Sequence, residues 1–238
     1  MIEQFNISDL EQMMDLKLET KHKEYINNNG FRVPSVTIVL HKMIEEESLL
    51  LWANSLGFQK KKYLETLNYY ADIGSKVHKA IENFLHNKEV DKDTPYFPYT
   101  AFLDWYNSLI SVFQKVEVIG QEESLTSTYY GGTYDLLLNI NDRIYLIDFK
   151  TSSKITYKFF IQLAAYISLL RDIKNIKVDS ILILQLSRDR PEYKEYIMNL
   201  NEDKYKDYMY YCERTFFALL YSYYHINYLE EKFNNDYK

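Results

Sequence analysis

The chain has 238 residues, of which 47% are hydrophobic and 26% charged. This length and composition predict a folded, soluble protein with a single domain over residues 1–238. The net charge of −6 excludes a general attraction to nucleic acid, so any contact with DNA must depend on local basic groups or bound cations. The single Cys212 excludes an intramolecular disulfide and cannot supply the roughly four ligands of an iron-sulfur cluster.

The first residues, MIEQFNISDLEQMMDLKLE, are acidic and patterned like a helix. They lack the basic start and the apolar stretch of a secretory signal. No apolar run in the chain approaches the roughly 18 residues of a membrane span. The sequence therefore predicts a cytoplasmic protein that is not secreted and has no membrane partner.

Hydrophobic residues at helical spacing dominate residues 1–115, which we expect to form a mainly helical N-terminal part. The pattern Ser8-x-x-Glu11 is typical of a capping box at the start of a helix. Gly57 and a polar segment after residue 86 interrupt the periodicity. Helices are therefore predicted over residues 8–28, 35–56, 63–85 and 99–113.

Residues 116–200 change to short runs rich in Val, Ile, Leu and Tyr, a composition typical of strands. The predicted strands are VEVIG, GTYDLLLNI, RIYLIDFK, KVDSILILQLSRD and EYKEYIMNL, with a helix over residues 157–173 between the third and the fourth. Asn201 can cap a final helix that continues to about Phe233 within residues 201–238. The predicted fold class is α/β, with a mixed sheet core flanked by helices and a long C-terminal helix.

Two acidic residues and a lysine mark the candidate site. Asp148 and Lys150 lie two apart on a predicted strand, so both side chains project from one face. Asp135 ends the preceding strand signal, and hairpin-like pairing can bring its carboxylate beside that of Asp148. Adjacent carboxylates repel each other unless a divalent cation such as magnesium or manganese lies between them. The pattern therefore indicates a metal site, with Lys150 available to stabilise negative charge on a phosphate.

A buried salt bridge is the structural alternative for Asp148 and Lys150. Acidic-x-Lys patterns also occur elsewhere in the chain, for example at Asp15 and Lys17, and most such patterns are solvated charge pairs. The pair at Asp148 differs because it follows a run of apolar residues, which predicts a central strand, and an ionised pair there is costly without partners.

Two helix faces carry further polar residues. Gln162 and Tyr166 lie four apart on a predicted helix and can reach the ends of the strands together, although such a pair also serves hydrogen bonds in a protein core. Gly74, His78 and Glu82 recur at the same spacing upstream. His78 is a candidate metal ligand, and an ordinary surface or core-edge histidine is the alternative.

Six segments resemble, in family order, motifs of the RecB-like branch of the PD-(D/E)XK nucleases. They are PSVT at 34–37, GSKVH at 74–78, EESLTS at 122–127, GTYD at 132–135, DFKTS at 148–152 and QLAAY at 162–166. The resemblance covers roughly residues 33–190. Tyr134 replaces the proline of the family motif, and the carboxylate that follows is retained. The likeness is greatest to exonucleases of the mitochondrial genome maintenance type and their phage relatives, which lack an iron-sulfur cluster.

The resemblance implies a restriction-endonuclease-like core and a role for each matched residue. Lys150 would be the catalytic lysine, Gln162 and Tyr166 would orient the scissile strand, and Glu122 would be a further ligand unless the adjacent Glu123 faces the site instead. The implied ligands of Mg²⁺ or Mn²⁺ are His78, Asp135, Asp148 and the Phe149 backbone carbonyl. The implied DNA contacts are Thr151, Ser152, Lys154 and Lys158.

The expected function is a metal-dependent DNA exonuclease in the cytoplasm of a bacterial or phage-infected cell, acting on single strands or free ends. An endonuclease of the same superfamily, cutting as a restriction or junction-resolving enzyme, is one alternative. A DNA-binding subunit with a decayed site is another. The lone cysteine favours members of the family without an iron-sulfur cluster.

Overall fold

The structure is a computed structural model that describes residues 24–44 and 47–237. It is an α/β protein with a mixed sheet, and the predicted fold class is confirmed. In chain order the elements are β1 (Tyr25–Ile26), β2 (Arg32–Val33), α1 (Val36–Met43), α2 (Glu47–Phe58), α3 (Tyr63–Leu85), α4 (Tyr96–Val112), β3 (Val116–Thr126), β4 (Gly131–Ile140), β5 (Arg143–Lys150), α5 (Tyr157–Lys174), β6 (Ser180–Leu186), β7 (Tyr193–Asn199) and α6 (Asp203–Tyr237).

The main sheet has five strands in the order β3-β4-β5-β6-β7. Neighbouring strands are antiparallel except β5 and β6, which are parallel. Helix α5 makes the crossover that a parallel pair requires. The interior strand β6 reads SILILQL and is buried along nearly its whole length, as expected of a strand covered on both faces.

Two hydrophobic clusters cover the two faces of this sheet. On one face, Leu136, Leu138 and Ile147 pack against residues of α3 and α4 such as Val77 and Phe102. On the other face, Leu137, Leu146 and Ile183 pack against α1, α5 and α6. The sheet is therefore the middle layer of three, and side chains that alternate along each strand reach opposite helical layers.

Two of the predicted helices differ from the structure. The helix predicted over residues 8–28 lies mostly outside the described residues, and within them Tyr25–Ile26 is a strand. The side chain of Asn27 accepts hydrogen bonds from the backbone N–H groups of Asn29 and Phe31 at 3.0 Å each, which stabilises a hairpin turn instead of a helix. The predicted helix 35–56 is also divided, because Ile44 has extended backbone angles that end α1.

The long C-terminal helix α6 begins at Asp203, so Asn201 does not occupy the position before its first turn. Its first half packs on α5 and α1 through buried residues such as Phe216 and Tyr224. The buried free Cys212 lies in this contact. Among the described residues, no helix combines the length and hydropathy needed to cross a membrane.

Candidate metal and catalytic site

The site forms where β4 and β5 separate. Their ladder runs from the Ile140–Arg143 pair to the Leu136–Ile147 pair. Beyond it, the carboxylate of Asp135 accepts a hydrogen bond from the backbone N–H of Phe149 at 2.7 Å. The side chain thus takes the place of the next ladder contact, which satisfies a backbone donor and fixes the carboxylate between the two strands.

A backbone irregularity in β3 turns the Glu122 side chain towards the point where β4 and β5 separate. The register of β3 against β4 shifts between Val118 and Gly120, and Glu122 has a φ of 46°. A left-handed conformation costs a residue with a side chain about 1–2 kcal/mol, and such strain is typical of functional sites. The Glu122 carboxylate lies 3.5 Å from Nδ1 of His78.

Glu123 has a different environment. Its carboxylate accepts a hydrogen bond of 2.6 Å from the hydroxyl of Tyr134 and forms an ion pair with Lys174 on α5. These contacts lower the pKa of Glu123, the Lys174 contact most. Of the two adjacent glutamates that the sequence left open, Glu122 is therefore the one at the site.

His78 reaches the strands from α3, whose neighbouring Val77 and Ile81 are buried against the sheet. Its Nε2 donates to the carbonyl of Phe149 at 3.1 Å, and its Nδ1 lies 3.6 Å from Asp135. A neutral imidazole that donates through Nε2 presents the lone pair of Nδ1, so the backbone contact selects the tautomer that can bind a metal. The Phe149 carbonyl thus orients His78, a contact that the resemblance did not imply.

One ligand atom from each of His78, Glu122 and Asp135 lies within 4.8 Å of the other two. Burial opposes charge on the imidazole, but Asp135 and Glu122 outweigh it and raise the pKa of His78 to about 9. Below that pKa the protonated ring offsets one of the two negative charges of the carboxylates. A divalent cation would replace that proton, since metal ligands must be deprotonated. The donor set fits a cation.

Asp148 lies deeper than this cluster and pairs with Lys150. The distance from Oδ2 of Asp148 to Nζ of Lys150 is 2.5 Å, and the Asp148 side chain is only 2% exposed. Apart from Lys150, no described residue donates a hydrogen bond to either carboxylate oxygen of Asp148. Burial raises the pKa of Asp148 to about 6, although Lys150 acts in the opposite direction.

Lys150 also contacts a residue of helix α5. Its ammonium lies 5.0 Å from the ring centroid of Phe159 on α5, a distance at which a cation is attracted to an aromatic face. The side chain is 16% exposed. Lys150 is therefore fixed between a carboxylate and a ring while its end still reaches solvent. Phe159 was not predicted, and no feature of the sequence distinguishes it from core residues of α5.

Gln162 and Tyr166 share one face of α5, as their spacing predicts. The Gln162 amide donates to the Tyr166 hydroxyl at 2.8 Å, and the Tyr166 ring packs on the backbone of Gly132. A Cβ at Gly132 would lie 2.5 Å from that ring, so this position admits only glycine. Burial raises the pKa of Tyr166, and Asp148 and Asp135 act in the same direction. Gln162 and Tyr166 therefore lie close to Asp148 and Asp135, and the Tyr166 phenol is neutral.

The residues after β5 begin the loop that borders the site. Thr151 and Ser152 line a cavity of about 280 Å³, and Gln185 donates to the Ser152 carbonyl at 2.7 Å. Lys154 is exposed and Lys158 is half-buried, and neither lines this cavity. The sequence analysis missed Gln185, although a polar residue within the apolar run ILILQLS is a signal that could have identified it.

Glu82, the third residue of the predicted His78 face, lies outside the cluster. It forms an ion pair with Lys79 at 2.7 Å on α3. This contact is the first cause of the lowered pKa of Glu82. The acidic residue that completes the site with His78 comes instead from β3, a strand distant in sequence.

No family model matches this sequence, and no curated protein matches it. Among solved structures, the chain is similar to one described as "Crystal structure of SSO0001". The TM-score is 0.34 with 13% sequence identity, over 90% of this chain and 83% of that chain.

We expect the metal-free protein to lose stability as pH rises from 6.5 to about 9, the range between the ordinary pKa of histidine and that of His78. Because the pKa of His78 is higher in the folded state, its protonation stabilises the fold. This stabilisation is complete below pH 6.5 and is lost above about pH 9. The loss is on the order of 3 kcal/mol. Urea unfolding in EDTA measures it, and His78→Gln should flatten the pH dependence in this range. Equal slopes for the variant and the unaltered protein would contradict the proposed environment of His78.

Proposed function

We propose that this protein is a metal-dependent nuclease that hydrolyses phosphodiester bonds of DNA from free ends. The observation that carries the proposal is the convergence of His78, Glu122 and Asp135 from three different elements to within 4.8 Å, beside the buried pair of Asp148 and Lys150. The sequence motifs support the same function, because the converging residues are those that resemble the nuclease motifs.

The donor set also supports a choice of metal. Two carboxylates and one imidazole nitrogen combine the hard oxygen ligands that suit magnesium and manganese with one softer ligand. We therefore expect Mn²⁺ to bind more tightly than Mg²⁺, and either to be a cofactor. His78, Glu122 and Asp135 would hold the ion, and Asp148 lies next to them as a further carboxylate.

A cation at this position would lower the pKa of a bound water and neutralise charge on the phosphoryl oxygens. Lys150 adds a second positive charge at a fixed place, because Asp148 and the ring of Phe159 both restrain its side chain. A restrained ammonium stabilises negative charge that develops during the reaction without first having to reorganise. Asp135 would have two roles. Its carboxylate faces His78 as a candidate ligand, and it accepts a hydrogen bond from the backbone of β5, the strand that carries Lys150.

The residues of α5 and of the loop after β5 contribute positioning. Gln162 and Tyr166 form a hydrogen-bonded pair above the backbone of Gly132, and a neutral phenol can donate to a phosphate oxygen. Thr151 and Ser152 border the cavity beside the site, where hydroxyl groups can orient the phosphate backbone. These contacts would align the scissile bond with the cation and Lys150.

With Mn²⁺, we expect an end-labelled linear single strand of DNA to be shortened progressively and a closed single-stranded circle to remain intact. A time course on both substrates, with and without the metal, measures activity and end dependence together. Cutting of the circle would instead identify an endonuclease. Failure to release nucleotides from either substrate would contradict nuclease activity and favour a DNA-binding subunit.

Site variants test the chemistry. Asp148→Asn and Lys150→Ala should each lower the rate of cleavage by about 100-fold or more. Lys150→Ala removes the positive charge proposed to act on the phosphate, and Asp148→Asn removes the carboxylate that restrains Lys150 beside the metal cluster. Both variants should keep the native circular dichroism spectrum. Glu123→Gln is the matched control, since this glutamate lies beside Glu122 in sequence but contacts Tyr134 and Lys174, and it should cleave at the normal rate. Unfolding of Lys150→Ala would indicate a structural ion pair instead.

A further inference from the structure

One face of α3 connects the metal cluster to a second region of the molecule. Tyr70, Gly74 and His78 recur every four residues, so they lie along one helix face that extends about 12 Å. His78 belongs to the cluster. Gly74 faces Thr151, whose hydroxyl would lie 3.5 Å from a Cβ at this glycine. Tyr70 lies beneath Arg188, which belongs to the turn between β6 and β7.

That turn and the start of β7 carry a group of basic side chains. Arg188, Arg190 and Lys194 line the cavity of about 280 Å³ that also contains Thr151 and Ser152. Two acidic residues, Asp189 and Glu192, line it as well. Arg190 pairs with Glu192 at 3.5 Å, and both side chains are largely exposed. Because exposed pairs of this kind contribute little energy, the Arg190 guanidinium remains available to an anion.

A group of aromatic rings lies next to Arg188. The guanidinium of Arg188 lies 3.9 Å from the ring centroid of Tyr70, which in turn lies 5.4 Å from Tyr69 and 6.2 Å from Trp52. Tyr63 adds an edge contact to Trp52 at 5.5 Å. We call these four rings the aromatic ledge. Tyr69 is 62% exposed, so the ledge presents a ring to solvent instead of completing a core.

We propose that single-stranded nucleic acid extends from the metal site along this face of α3, with phosphates at Arg188 and Arg190 and bases stacked on the aromatic ledge. The inference rests on the proposed function, to which it adds a path for the strand and a physical basis for the expected preference for single strands. Exposed rings beside a basic groove are the combination that binds single strands without sequence preference, because every base has a face that can stack. Paired bases are already stacked and cannot use the ledge.

The local charge is consistent with this path. The whole chain carries a net charge of −6, which repels a polyanion, so a productive approach needs a local positive region. Arg188 has a further advantage over lysine, since its planar guanidinium can stack on Tyr70 and contact a phosphate at its edge at the same time. The same residue thus links the basic turn to the ledge.

The test is equilibrium binding of a fluorescent oligo(dT) of about 16 nucleotides, the upper end of known single-strand site sizes, in EDTA so that no cleavage occurs. Tyr69→Ala should weaken binding by about 5- to 100-fold, the loss expected for one stacked base. Arg190→Ala should weaken it too and reduce the slope of log affinity against log salt by about 0.7. An oligo(rU) of equal length determines whether the path distinguishes DNA from RNA.

Matched controls lie on α6, on the opposite side of the sheet. Tyr211 is 68% exposed and pairs with Tyr210 at 5.5 Å, much as Tyr69 pairs with Tyr70. Arg214 is exposed on the same helix. Tyr211→Ala and Arg214→Ala should bind oligo(dT) as the unaltered protein does, and Tyr69→Ala should not change affinity for a blunt duplex.

Unchanged oligo(dT) affinity in Tyr69→Ala and Arg190→Ala would overturn the path. So would an equal loss in the α6 controls, or an unaltered protein that does not bind oligo(dT). If the protein cleaves DNA while the variants bind normally, the path is wrong and the nuclease function stands. If binding depends on Tyr69 and Arg190 but no cleavage occurs with Mn²⁺, the nuclease function is wrong and the path stands as a binding surface.

Discussion

The hydrogen bond from the Phe149 backbone to Asp135 is the contact on which the site depends. At 2.7 Å it replaces a ladder contact at the point where β4 and β5 separate, and it fixes a carboxylate between them. The backbone carbonyl of the same residue, Phe149, accepts a hydrogen bond from His78. One peptide segment therefore orients both an acidic and an imidazole ligand, and the strand that contains it also carries Asp148 and Lys150. Rigid elements thus hold the carboxylate and the imidazole in fixed positions.

The arrangement costs stability in the absence of a ligand. Glu122 adopts a left-handed backbone conformation, and burial disfavours the ionised form of Asp148. The proton on His78 compensates in part, because its charge offsets one of the two negative charges of Asp135 and Glu122. Such local penalties are typical of sites whose preorganised charge serves binding or catalysis instead of folding. A bound divalent cation would take over the role of that proton, so folding and metal binding are linked at this site.

Much of the sheet could be predicted from the sequence, because alternation and turn residues delimit strands well. RIYLIDFK matches β5 residue for residue, and the helix predicted over 63–85 coincides with α3. The face shared by Asp148 and Lys150 followed from strand geometry alone. Long-range contacts could not be derived in this way. The choice between Glu122 and Glu123 depends on a register shift and a positive φ in β3, and the contact of Phe159 with Lys150 depends on how α5 packs. The β1–β2 hairpin was missed because the turn chemistry of Asn27 overrides a helical pattern.

The most direct test of the metal site is electron paramagnetic resonance of the protein with one equivalent of Mn²⁺. We expect a bound Mn²⁺ signal with a nitrogen coupling from Nδ1 of His78, the ring atom that faces Glu122 and Asp135. His78→Gln should remove the nitrogen coupling, and Glu123→Gln should leave it unchanged. A spectrum of free aqueous Mn²⁺, or a nitrogen coupling that persists in His78→Gln, would contradict a metal centre at this cluster.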